Sequence, residues 1–173
     1  MKMEQKINGL KFVKTKFMKN ANNCYTYAIN QPFNPYTGKK YEDYDDCQPG
    51  FLGGVAKIRG LYDATRNYKV YMGYVKKDLK HIGYDIRKST YKEYVEEEGA
   101  WKIAFCYDNI NFDYHFYRQN IDGTWSHQQG CGGFVTNKDF DGKVITNPQK
   151  CERGRYRVFH GFYIITPIKE RGN

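Results

Sequence analysis

From Tyr68 through Tyr71, Met72, Val75 and Leu79 the apolar residues recur at steps of three and four. That spacing predicts a helix over about residues 64–81, with one face inward and a basic face outward. Beyond Gly99 the period shortens, and runs rich in aromatic and β-branched residues predict strands over 101–107, 114–119, 124–127 and 157–165. Between the second and third of these, Asp122-Gly123 suits a primed hairpin turn. A shorter helix is expected over 91–97, capped by Thr90. Earlier, Asn22 and Asn23 stand before Cys24-Tyr25-Thr26-Tyr27-Ala28-Ile29 as N-cap candidates for a helix that Pro32 stops. Cys24 therefore falls in a first helical turn. Residues 31–60 are rich in Pro and Gly and read as surface loop. Leu10 to Lys14 alternate in a way that fits a short edge strand within a basic arm, residues 1–20. Helices first and an antiparallel sheet after define an α+β fold in one domain, residues 21–173.

With 173 residues the chain is long enough to bury a core without disulfides, and 17 Tyr and 11 Phe make aromatic rings a large part of its apolar volume. The balance of 28 Lys plus Arg against 19 Asp plus Glu leaves a net charge of +9. A surplus of that size draws a protein toward anionic partners, an acidic polymer or an acidic protein, although dispersed charge also serves solubility alone. Five cysteines at irregular spacing, with no apolar signal segment near Met1, predict reduced thiols and a cytoplasmic protein, or one in the host cytoplasm if phage-encoded. No transmembrane span is expected. His127, Cys131, Cys151 and His160 lack the paired Cys-x-x-Cys spacing of structural zinc sites, and Gly130 to Gly133 lack the Lys-Ser or Lys-Thr of a phosphate loop. No cofactor is implied.

A cysteine nucleophile needs an imidazole to take its proton, a polar group to orient that imidazole, and donors for the oxyanion. Cys24 at a helix start, His115 within a strand, and His127 on the next strand supply the nucleophile, the imidazole and the orienting group in chain order. Asp122, Asn137 or Asp139 are alternatives for the orienting role. Asn22, Asn23 or Gln48 are candidates to join the Cys24 N–H at the oxyanion.

The order helix-borne Cys24, strand-borne His115 and a second His twelve positions later resembles the NlpC-type branch of papain-like cysteine peptidases and amidases. Tyr25 stands where that branch usually has Ser. Asn22-Asn23-Cys24-Tyr25, Gln48-Pro49-Gly50, Asp113-Tyr114-His115-Phe116-Tyr117-Arg118 and Trp125-Ser126-His127 also resemble a set of uncharacterised bacterial and phage proteins. The resemblance implies a papain-like fold, N-terminal helices packed on a C-terminal antiparallel sheet. It further implies a hydrolase that cleaves a peptide or amide substrate through an acyl-enzyme, with a Cys24-His115-His127 triad. The competing expectation is a non-enzymatic basic binding protein for nucleic acid or an acidic protein partner.

Overall fold

The computed structural model describes residues 4–7, 10–13, 23–42, 47–55, 68–130 and 133–169. Asn23 starts the first helix, α1 (Cys24–Ala28), its side-chain oxygen accepting from the Tyr25 and Thr26 N–H groups at 3.0 Å each. The helix ends within two turns because Asn30 takes a left-handed conformation, φ 57°, just ahead of Pro32. Helix α2 (Tyr68–His81) buries Tyr71, Val75, Asp78 and Leu79 as one stripe. It stops at Gly83, whose φ of +87° is a left-handed cap, and Lys80 and His81 in its last turn suit the negative end of the helix dipole. The expected start of this helix, residues 64–67, lies outside the described residues.

Near the N-terminus, β1 (Glu4–Ile7) and β2 (Leu10–Val13) pair antiparallel as a two-stranded sheet of their own. The strand expected in the arm is therefore half of a hairpin. The main sheet is antiparallel and six-stranded, in the order β3-β8-β4-β5-β6-β7. Its members are β3 (Tyr84–Ser89), β4 (Trp101–Asp108), β5 (Asp113–Gln119), β6 (Trp125–Gln128), β7 (Val135–Thr136) and β8 (Val158–Pro167). Every residue of β4 is buried, since β4 lies between β8 and β5 and both its faces are covered. On the helix side, Trp101, Ile103, Phe105, Tyr114 and Phe116 pack with Tyr25, Ile29, Tyr71, Val75 and Leu79. On the other side, Ala104, Cys106, Tyr117, Trp125, Ile145, Tyr156 and Phe162 form a second cluster. Mixed helix and sheet, with few helices on one antiparallel sheet, makes the fold α+β.

Three local expectations are corrected. Residues 91–97 form turns rather than a helix. The buried Lys102 Nζ donates to the carbonyls of Thr90 at 2.9 Å, Tyr91 and Glu93, which a helix there would spend on its own bonds, while Ser89 and Arg87 hold the Glu93 carboxylate. The turn between β5 and β6 is not a two-residue primed turn. Only Gly123 has positive φ, +83°, with Gly123 N–H donating to Asn120 O and Asn120 N–H to Thr124 O, the pattern of a longer loop ending in a glycine bulge. Finally, β3 was not expected, because Tyr84-Asp85-Ile86-Arg87-Lys88-Ser89 is mostly polar. As an edge strand it buries one residue, Ile86, and its exposed charges discourage further pairing.

Candidate functional site

Alternation along β5 divides its side chains. Tyr114 and Phe116 face the helices, while His115 and Tyr117 face the opposite cluster. Beyond the turn, β6 pairs with β5 only at Arg118↔Ser126 and Gln119↔Trp125, then continues to His127. There His115 Nε2 and His127 Nδ1 meet at 2.6 Å, both rings buried. His127 Nε2 lies 2.9 Å from the Lys138 carbonyl, which can only accept, so that nitrogen carries the hydrogen. It follows that His127 Nδ1 is the acceptor and His115 Nε2 the donor. His115 Nδ1 is left as a bare lone pair without a hydrogen-bond partner among the described residues.

Tyr156 stacks on the His115 ring at 4.9 Å and 21°, and Tyr117 lies 5.0 Å from both imidazoles. Burial, then the neighbouring His127 and the Arg155 charge, hold His115 well below the ordinary histidine value. Burial lowers His127 as well, opposed by its bond to the Lys138 carbonyl and by Asp139. Both rings are therefore neutral at pH 7.

Cys24 packs against the same strand. Its sulfur is 3.9 Å from the Tyr114 carbonyl and also meets the Phe116 N–H, so it brackets the backbone on either side of His115. The thiol is only 6% exposed, and burial pushes its pKa up to about 12. A first-turn position by itself favours the thiolate. In this five-residue helix burial outweighs the backbone N–H groups that pull the other way.

Of the oxyanion candidates, Asn23 spends its side-chain oxygen on the α1 cap, and Gln48 Oε1 accepts from the Tyr114 hydroxyl. Asn22 lies outside the described residues. Two of the three alternative orienting groups, Asp122 and Asp139, are committed elsewhere. Asp122 accepts from Thr124 in the turn, and Asp139 accepts from the N–H groups of Asp141, Lys143 and Glu152. Among the described residues, no group of three or more His, Cys, Asp or Glu side chains is placed to hold a metal ion. Nor is any described helix long and apolar enough to cross a membrane.

Sequence reasoning missed two parts of this region. Tyr156 sits in a loop, and no spacing ties it to His115. Asp78 was legible as the one charged residue on the buried stripe of α2. Its carboxylate accepts from the Tyr25 hydroxyl and the Gly50 and Gly53 N–H groups, each at 2.6 Å, and so joins α1, the Gln48-Pro49-Gly50 loop and α2.

The site is thus a buried, neutral imidazole pair beside an unionised thiol within an α+β domain. The chain belongs to the family of the insoluble matrix shell protein 1 of Ruditapes philippinarum, with 40% identity over 146 residues, 84% of this chain and 80% of that protein. No family model matches the sequence, and no solved structure matches the fold. The relationship overturns the expectation of a hydrolase, whether cysteine peptidase or amidase, because the relative is named as a matrix protein. It likewise corrects the cytoplasmic expectation, since an insoluble shell matrix is not a cytoplasmic location.

Proposed function

We propose that this chain is a non-catalytic component of an insoluble matrix, built on a papain-like arrangement of helix-borne Cys24 and strand-borne His115 and His127, and held to acidic macromolecules by its basic surface. The 40% identity across most of both chains carries this reading. The charge distribution supports it. Lys77 and Lys80 on α2, Lys88 on β3, and Lys138, Lys150 and Arg157 in the later loops are all exposed, while the net charge is +9. A surface of that kind attracts a polyanion through many weak, salt-screened contacts.

Chromatography on immobilised dextran sulfate and polyaspartate, with neutral dextran as control, tests the proposal. Retention on both acidic polymers at low salt, lost steeply as salt rises, is expected. Cys24→Ala should elute with the wild type. Equal retention on neutral dextran, or none on either acidic polymer at low salt, would overturn the binding role.

A further inference from the structure

Two short ladders hold the outer end of the main sheet. β5 and β6 share two residue pairs, and β6 and β7 share two, His127↔Thr136 and Gln128↔Val135. Past Ser126, where the β5–β6 ladder ends, the His115–His127 bond carries the connection inward, and the His127–Lys138 bond carries it outward to the loop of residues 137–145. We propose that this imidazole pair is an acid-released latch: at neutral pH it pins β6, β7 and the 137–145 loop to β5, and proton uptake by the rings frees that flap while the helix-covered side stays closed.

The direction follows from which atoms are already used. A neutral pair needs one ring to donate and the other to accept, and the Lys138 carbonyl dictates which does which. An added proton has one open place, His115 Nδ1, where it would create a buried N–H with no acceptor among the described residues. The surroundings offer little compensation. Tyr117 on β5 and Tyr156 in the following loop present rings to the pair, and the Arg155 charge opposes a second cation. From β4, Cys106 donates to the His115 carbonyl, not to the ring, and on the α1 side Cys24 is an unionised thiol. Phe140 borders His127, and against burial only the Lys138 carbonyl and Asp139 favour its protonation. Acid therefore favours an opened form in which the rings reach water and take up protons at about their ordinary value near 6.5.

From pH 7.5 to 5.5 each ring that protonates only on opening raises the opening constant about 10-fold, so the pair gives between about 10-fold and about 100-fold. Native-state hydrogen exchange with mass spectrometry on the whole chain, corrected for intrinsic exchange rates, reads this directly. Protection over 126–145 should fall by that factor while α2 is unchanged. In His127→Asn, whose side-chain oxygen accepts from His115 without titrating, the acid response should shrink by about 10-fold. Loss of protection spread evenly over the domain, no acid response in the wild type, or an undiminished response in His127→Asn would each overturn the latch. Imidazole nitrogen NMR of the wild-type protein gives a readout independent of any variant. Nε2–H tautomers on both rings, still neutral in the closed form at pH 5.5, are expected; two folded-state titrations near 6.5 would refute the proposal.

Discussion

Strand β5 meets a different chemistry on each face. Toward the helices, Tyr114 and Phe116 join an aromatic core that is tied together by one carboxylate, Asp78, with three donors at 2.6 Å. Toward the loops, His115 and Tyr117 join a cluster whose polar centre is two neutral imidazoles sharing one hydrogen. Burial raises the Asp78 carboxyl above its ordinary value, even though its three hydrogen bonds pull it back. Burial lowers both histidines. The same desolvation thus makes the two faces answer acid oppositely, because one buries an acid and the other buries bases.

Removing the helix-side anchor should have the largest effect. Asp78→Ala leaves the Gly50 N–H and the Tyr25 hydroxyl buried without an acceptor, at about 1–3 kcal/mol each, and the half-buried Gly53 N–H unpaired at less, so a loss of at least about 2–6 kcal/mol is expected in urea unfolding. Asp78→Asn, which keeps one accepting oxygen, should lose less. Phe116→Ala, which empties the centre of the same face, should cost about 3–4 kcal/mol. Equal small losses from these changes would mean that the helix side is not the more firmly held of the two.

Changing pH sharpens the contrast without mutation. A group whose folded pKa is depressed binds fewer protons folded than unfolded, so the histidine contribution is complete above about 6.5 and lost as pH falls below it. The expected slope is about 1.4 kcal/mol per pH unit for each ring that stays neutral in the fold. For Asp78 the sign reverses. Its raised value adds stability below the ordinary carboxyl range that disappears as pH rises through the folded value. Urea midpoints measured from pH 7.5 down to 5 should therefore fall, and the His115→Gln/His127→Asn double variant should flatten that fall. A double variant as acid-sensitive as the wild type would assign the slope to other groups.

The smallest effect concerns the thiols. With its pKa pushed up to about 12, Cys24 holds almost no thiolate at pH 8. Among the four cysteines described, half-buried Cys151 should react with iodoacetamide before Cys24, Cys47 and Cys106, which are buried. Peptide mapping that found Cys24 modified first would show the environment of α1 to be more open than its 6% exposure indicates.

The local pattern determined a good deal. Period-two runs located β4, β5, β6 and β8, the three-and-four spacing located α2, and the Asn before Cys24 marked the start of α1. Each of these depends on neighbours along the chain, where propensity, capping and side-chain alternation operate. Alternation also separated His115 from Tyr114 and Phe116, and the turn at Asp122-Gly123 made its meeting with His127 legible. The tertiary structure alone decided what those residues are. Whether Cys24 is an ionised nucleophile or a closed thiol depends on how much water remains around it, and Tyr156, Phe116 and Tyr114 exclude that water from positions 90 and more residues away. In the same way, residues 91–97 are helical by composition, but the ammonium of Lys102 claims three of the carbonyls that a helix would have used. Spacing specifies which atoms can meet, whereas the dielectric surroundings that set their charge come from packing between segments remote in sequence.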